Sequence, residues 1–183
     1  QAFVRGCHAG GGAAAAKHFP GHGRTGTDSH VELPVVDATE GSLRERELVP
    51  FRGAVEAGVD AVMTAHVSYP ALDPSGGPAG FSPEVVTGIL RHELEFDGVV
   101  MTDALIMGGV TTTGAEAARL AVAAGSDVLL APEDAGETVG SVAEAMRTDA
   151  AMRKRVERSV ERIESLVERV RSRTPLGGDG PEL

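Results

Sequence analysis

The sequence predicts an α/β fold around a parallel sheet, and three observations support this prediction. Four short apolar runs recur along the 183 residues, and a helix-like stretch follows each run. Three of the runs are rich in valine, methionine and leucine and do not alternate with polar residues. Strands that are buried on both faces of a parallel sheet have this composition. Because strands that alternate with helices form βαβ units, the order of the runs favours a parallel arrangement.

The four apolar runs are the predicted strands. The first is the least clear, because it is mostly alanine, which is a poor strand former. Tight turns that contain glycine or aspartate lead into the other three. In chain order, the strands are predicted at Ala13–Phe19, Ala61–Val67, Gly98–Thr102 and Asp127–Ala131.

Helices are predicted between and after the strands. Ser42 and Glu45 have the spacing of a capping box, and Ser82 before Pro83 indicates a second helix start. The last helix carries an apolar stripe at spacings of three and four residues, which predicts packing against the rest of the domain. The Gly/Pro-rich stretch 174–183 is predicted to be a linker or a frayed end. The predicted helices are Ser42–Ala57, Ser82–Leu94, Gly114–Ala124, Glu137–Met146 and Ala151–Arg173.

Composition and charge exclude several classes of protein. With 17 Lys and Arg against 27 Asp and Glu, the net charge is −10, which disfavours nonspecific binding to nucleic acid and to anionic lipid. No run of 18 apolar residues is present, so no membrane span is expected. Cys7 is the single cysteine, which excludes an intramolecular disulfide. The basic stretch 151–173 is interpreted as a solvated helix face.

Chemistry-bearing residues cluster where the predicted strands end. Lys17 and His18 lie at the end of the first strand, His66 at the end of the second, and Asp103 directly after the third. In parallel α/β folds, active sites form at the carboxyl ends of the strands. A carboxylate such as Asp103 suits a nucleophile or a metal ligand there. The alternative is that Asp103 caps a following helix at Ala104–Val110.

The segment 20–36 has the composition of a long loop, and it contains Asp28 and His30. A carboxylate two residues from an imidazole can orient and charge it, which suits general acid–base catalysis near neutral pH. An Asx-turn beside a solvent-exposed histidine explains the same spacing. Asp60, Asp97 and Asp127 precede strands and are assigned to the opposite rim, where they would contribute stability.

A metal-dependent hydrolase is a less favoured alternative. His18, His22, His30, His66 and Asp103 would be the ligands, but no HxH or HExxH spacing supports them. The glycines at 10–12 do not form a phosphate-binding loop, because the pattern GxxxxGK[ST] is missing. No metal and no cofactor is therefore expected.

The motifs at the strand ends resemble those of family 3 glycoside hydrolases, in particular the bacterial β-N-acetylglucosaminidase branch. Residues 17–23 read KHFPGHG and residues 28–30 read DSH, as in the signature of that branch. Residues 62–67 (VMTAHV) resemble its next strand, and residues 100–105 (VMTDAL), with Gly108 three residues further on, resemble the strand that bears the nucleophile. Residues 123–130 (AAGSDVLL) resemble its last barrel strand. The resemblance extends over about residues 1–173.

This resemblance implies a TIM-type (β/α)8 barrel. An eight-stranded barrel typically takes about 250 residues. Only about four βα units are visible here, and they match strands five to eight. Residues 1–173 are therefore expected to be the C-terminal half of the catalytic barrel. The first half would supply an aspartate and an arginine that hold the sugar.

The resemblance also implies a role for each site residue. Asp103 is the nucleophile, and His30, held and charged by Asp28, is the acid/base. Lys17 and His18 match residues that hold sugar hydroxyls, and His66 is placed near the sugar.

The implied reaction is the release of terminal β-linked N-acetylglucosamine by a retaining mechanism, from a carbohydrate such as one derived from muropeptides. Three alternatives remain open: a β-glucosidase of the same family, a glycoside phosphorylase, and an inactive or weakly binding barrel fragment. Because four strands cannot close an eight-stranded barrel, open sheet edges are expected to favour self-association. The sequence gives no compartment.

Overall fold

The computed structural model describes residues 1–173, and the predicted linker 174–183 lies outside them. A three-stranded parallel sheet forms the centre of the fold, with β1 at Ala15–Phe19, β2 at Ala61–Thr64 and β3 at Val99–Met101. The strand order β1-β2-β3 follows the chain. The predicted α/β class with a parallel sheet is therefore confirmed.

The fourth predicted strand, Asp127–Ala131, is not formed as a strand. This segment follows β3 and makes one isolated parallel bridge, between Met101 and Val128. The Leu130 amide then donates to the Thr102 hydroxyl at 3.0 Å instead of to a backbone carbonyl. Because this hydroxyl replaces the backbone carbonyl that would continue the sheet, regular β-pairing of the segment with β3 ends after one bridge.

Helices surround the sheet, and their positions follow the prediction closely after β1. A first helix that was not predicted precedes β1. Two further stretches, Leu43–Glu47 and Glu84–Glu93, wind with wider π-type turns, and His22–Arg24 and Ala79–Phe81 are short 3₁₀ turns. Within residues 1–173 the α-helices are α1 Ala2–Ala9, α2 Glu40–Ser42, α3 Val49–Glu56, α4 Gly114–Ala124, α5 Ala135–Thr148 and α6 Ala150–Arg173.

The helix starts confirm one predicted cap and correct another. Ser82 caps the Glu84–Glu93 helix, because its hydroxyl accepts from the Val85 amide at 3.2 Å. The capping box at Ser42 is wrong: Thr39 is the cap, and its hydroxyl accepts from the Ser42 amide at 3.3 Å. The helix thus begins one turn earlier than predicted, since threonine also serves as an N-cap.

The core lies between the sheet and the helices. Leu48 and Phe51 belong to one core cluster with sheet residues, and Phe51 packs edge-on against Phe19 of β1. Val86 and Leu90 of the Glu84–Glu93 helix belong to the same cluster. The apolar stripe of α6 is only partly covered, because Val160 is 48% exposed and Val167 is 41% exposed. No described helix is long and apolar enough to cross a membrane.

The basic face of α6 is not simply solvated, which corrects the interpretation from sequence. Arg155 of α6 contacts Asp127 at 2.8 Å, and Arg91 contacts the other oxygen of the same carboxylate at 2.6 Å. Further along α6, Arg173 reaches Asp60 at 2.9 Å. Both aspartate side chains are at most 1% exposed. These ion pairs fasten α6 across the rim where the strands begin.

Candidate active site

Asp103 lies at the carboxyl end of β3, where the backbone leaves the sheet. Its amide donates to the Thr64 carbonyl of β2 at 3.2 Å, which fixes the position of the residue relative to the neighbouring strand. The carboxylate accepts from the Ala104 amide at 2.9 Å and stays 16% exposed. Turns follow Asp103, and the alternative of a capped helix at Ala104–Val110 is wrong.

His18, from the end of β1, approaches this carboxylate. Its Nε2 lies 3.6 Å from Oδ2 of Asp103, and the ring is 27% exposed. Burial lowers the pKa of His18, and the negative charge of Asp103 acts in the opposite direction. Lys17 is exposed on the outer strand of the sheet, and the structure does not bring it into contact with Asp103.

His66 follows β2 and is fully buried beside the Asp103 turn. Neither ring nitrogen has a hydrogen-bond partner, and the ring packs at a tilt against Phe81, with 5.5 Å between the ring centres. Burial lowers the pKa of His66, opposed more weakly by Asp103 and by the backbone of Ala104. Burial thus favours the neutral form of this imidazole.

The predicted Asp28–His30 pair is formed. Nδ1 of His30 lies 2.8 Å from Oδ1 of Asp28, which also accepts from the His30 amide at 2.9 Å. These bonds, the backbone one first, lower the pKa of Asp28. The arrangement contains the Asx-turn of the alternative interpretation and the side-chain pair at once. The His30 ring is 74% exposed, so its Nε2 can reach a ligand.

The loop that carries His30 is fastened to the turn that follows Asp103. The Gly108 amide donates to the His30 carbonyl at 3.1 Å, and the Gly109 amide donates to the Ser29 carbonyl at 2.9 Å. A Cβ atom on Gly108 would lie 2.6 Å from the Val31 carbonyl carbon, so only glycine permits this approach. Gly108 is part of the motif around Asp103, but its contact with the His30 loop depends on a distant part of the chain and is not apparent from the sequence.

The structure thus brings His18, His66 and Asp103 together and holds the His30 loop against them. Within residues 1–173, no group of three or more histidine, cysteine or acidic side chains is arranged to hold a metal ion. The proposed metal ligands therefore do not converge as a set. The available chemistry is a partly exposed carboxylate beside imidazoles that can exchange protons.

The candidate groups lie at the carboxyl ends of parallel strands, which is where α/β folds form their active and ligand-binding sites. Residues 1–166 match the model of the glycosyl hydrolase family 3 N-terminal domain. The chain belongs to glycosyl hydrolase family 3, and the resemblance found in its motifs is confirmed.

Individual relatives agree with this membership. A beta-hexosaminidase from Pseudomonas aeruginosa is 47% identical over 135 residues, which are 73% of this chain and 40% of that protein. The family 3 β-N-acetylglucosaminidase from a Paenibacillus species has a TM-score of 0.86 at 41% identity, covering 98% of this chain and 35% of its own. The beta-glucoside phosphorylase BglX has a TM-score of 0.87 at 26% identity, covering 98% and 34%. The chain thus spans less than half the length of each.

Proposed function

We propose that this chain carries the catalytic groups of a retaining glycoside hydrolase that releases terminal β-linked N-acetylglucosamine. One observation carries the proposal: the Asp103 carboxylate and the paired Asp28–His30 loop are held together by the hydrogen bonds from Gly108 and Gly109. The likeness to the beta-hexosaminidases and to the Paenibacillus β-N-acetylglucosaminidase supports the sugar class.

In the first step, an oxygen of Asp103 attacks the anomeric carbon while the bond to the leaving group breaks. His30, as imidazolium, donates its Nε2 proton to the departing oxygen. A covalent glycosyl–Asp103 ester results. In the second step, neutral His30 takes a proton from water, the water oxygen attacks the anomeric carbon, and the ester bond breaks, releasing the sugar and free Asp103.

Asp28 assists His30 in donating a proton in the first step and accepting one in the second. Because Asp28 binds Nδ1, the other nitrogen of the His30 ring is the one that transfers the proton. The hydrogen bonds from His30, the backbone one first, lower the pKa of Asp28, so Asp28 is ionised near neutral pH and holds the His30 ring in one orientation. A histidine also avoids a second negative charge beside Asp103.

Lys17, His18 and His66 are proposed to hold the sugar. The ammonium of Lys17 offers three donors to hydroxyl groups. His18 borders Asp103 directly, and the buried, unpartnered nitrogens of His66 can accept or donate a hydrogen bond once a polar ligand or water arrives. The proposed chemistry uses neither a metal nor a cofactor.

We infer that residues 1–173 form strands five to eight of a (β/α)8 barrel and that 174–183 is a linker. This placement is supported by the fact that the chain matches only 40% of the Pseudomonas aeruginosa relative and 35% of the Paenibacillus one. The alternative of a non-enzymatic fragment gains no support from the family match, which covers residues 1–166. A muropeptide-derived substrate stays a prediction.

Replacing the nucleophile tests the proposal. In the catalytically competent enzyme that contains this sequence, Asp103→Ala should abolish hydrolysis of an aryl β-N-acetylglucosaminide, a loss of at least about a thousandfold. Added azide should restore turnover and give the α-configured glycosyl azide, because a small anion can enter the vacated space from the same face. Asp97→Ala is the matched control, since Asp97 lies on the opposite rim and is 94% exposed. A wild-type rate for Asp103→Ala would contradict the assignment.

Phosphorolysis is a second candidate, favoured by the likeness to the phosphorylase BglX. An imidazole acid/base does not repel phosphate as a carboxylate does. Product analysis in the presence of phosphate separates the candidates: a sugar 1-phosphate indicates phosphorolysis, and free sugar alone indicates hydrolysis. The same assay with aryl β-glucosides tests the β-glucosidase alternative.

A further inference from the structure

We propose that His22 is a positioning residue that fixes the acid/base loop, an inference that rests on the proposed function of His30. His22 lies in the 3₁₀ turn after β1, between the sheet and the Asp28–His30 pair. In the sequence, His22 belongs to the KHFPGHG motif and is also a candidate metal ligand. Its contacts assign it a different role, in which it acts on catalysis through Ser29.

Both nitrogens of the His22 ring are occupied by neighbours in the loop. Nε2 lies 3.0 Å from the Ser29 hydroxyl, and Nδ1 lies 3.0 Å from the Thr25 hydroxyl. With two hydrogen bonds on opposite sides, the ring cannot rotate without breaking one of them. For the same reason it has no nitrogen left for a sugar hydroxyl or a metal ion.

Ser29 is held on two sides. Its hydroxyl meets His22 and its carbonyl accepts from Gly109, and the residue is only 3% exposed. The next residue, His30, is 74% exposed at its side chain. The backbone of the loop is therefore fixed directly before the residue that must reach the substrate, while the His30 imidazole itself can still move.

This arrangement has a consequence for catalysis. Proton transfer requires His30 to approach the leaving oxygen at hydrogen-bond distance, and a displacement of about 1 Å can cost a hundredfold in rate. The loop contains Gly23 and Gly26, which give it little stiffness of its own. The contact between His22 and Ser29 supplies the missing constraint.

The experiment compares two substrates in the competent enzyme that contains this sequence: a 4-nitrophenyl and an alkyl β-N-acetylglucosaminide. The alkyl leaving group needs protonation, whereas 4-nitrophenolate hardly does. His22→Ala and Ser29→Ala should each lower kcat/KM for the alkyl substrate by about tenfold or more and change the value for the aryl substrate little. His22→Gln keeps an amide near the Nε2 position and should recover part of the loss. His92→Ala, on an exposed helix site, should resemble wild type on both.

His30→Ala provides the reference. If it shows no leaving-group dependence, the proposed acid/base function fails. If it does and His22→Ala loses activity equally on both substrates or not at all, the positioning role alone is overturned. The double variant His22→Ala/His30→Ala should be no slower than His30→Ala, because His22 acts only through that loop. Additive losses would contradict the inference, and Ser29→Ala keeps the test available if His22→Ala does not fold.

Discussion

His66 is the side chain whose environment departs most from its appearance in the sequence. A histidine after a strand predicts a ligand-binding group, but full burial with both nitrogens unpartnered was not predictable. Residues from a later part of the chain enclose it: Phe81 packs on the ring, and the Gly109 turn lies against its Cβ. Sequence alone identifies the imidazole, and only the fold determines its solvation.

This burial predicts a pH dependence of stability. Burial lowers the pKa of His66 in the folded state, whereas in the unfolded chain it has the ordinary value of about 6.5. Below that value the unfolded state binds a proton that the folded state resists, so stability is complete above about pH 6.5 and falls as the pH decreases towards the folded pKa. His18, whose pKa is also lowered by burial, acts with the same sign. Urea denaturation at pH 7 and pH 5 should show the loss.

Comparing the pH dependence of stability in wild type and in His66→Phe isolates the contribution of His66. His66→Phe removes the titrating group and should make the dependence between pH 7 and pH 5 shallower than in wild type, by at most about 1.4 kcal/mol per pH unit. His92→Phe changes an exposed histidine and should leave the wild-type dependence intact. An unchanged slope in His66→Phe would show that His66 is solvated.

At the scale of elements, helix α6 makes buried ion pairs that its own sequence does not predict. Its mixture of eight basic and four acidic residues over 151–173 predicted a solvated face. In the structure, Arg155 and Arg91 both bind the fully buried carboxylate of Asp127, and Arg173 binds Asp60. Burial also lowers the pKa of Arg91 to about 10. The sequence correctly placed these aspartates on the rim opposite the site, but their partners lie too far along the chain to be inferred.

Removing the shared carboxylate should be strongly destabilising. Asp127→Ala would leave the Arg91 and Arg155 guanidiniums, at 9% and 11% exposure, without their ion-pair partner. It would also remove the acceptor of the Val100 amide in β3. We expect a loss of about 3–5 kcal/mol in the free energy of unfolding, measured by urea denaturation.

An exposed ion pair provides the matched control for this substitution. Arg147 and Glu144 form an (i, i+3) pair on α5 and are 71% and 58% exposed. Glu144→Ala should therefore change stability by less than about 1 kcal/mol. If Asp127→Ala were as mild as Glu144→Ala, the network across the rim would not contribute to stability as proposed.

For the whole molecule, the feature that matters is the open outer edge of β1. In the described residues β1 pairs only with β2, whereas the outer edge of β3 is occupied: Val100 bonds to Asp127 and Val128, and the Thr102 amide donates to the Val128 carbonyl. Unpaired parallel edges are templates for further strands. We therefore predict that this chain self-associates, with a sedimentation coefficient that rises with concentration from the micromolar range upward.

A charged substitution at the free edge tests whether the sheet is responsible. Ala15 is exposed on β1, and Ala15→Lys beside Lys17 should weaken association by charge repulsion and by blunting the edge. Ala135→Lys, at the first position of α5, adds the same charge away from that edge and should leave association unchanged. A monomer at all concentrations would contradict the prediction, as would equal effects of the two substitutions.

The sequence by itself determined the α/β class, the helix positions after β1 and which side chains are candidates for the reactive groups. These depend on local information: apolar runs, capping residues and short motifs such as the Asp28–His30 pair, whose two members a single turn of the loop can join. The tertiary structure decided what depends on distant parts of the chain. It decided that the fourth run makes one bridge, that the Gly108 turn holds the His30 loop, that His22 braces Ser29, and that α6 neutralises Asp127. Packing brings these groups together, and no local pattern encodes it.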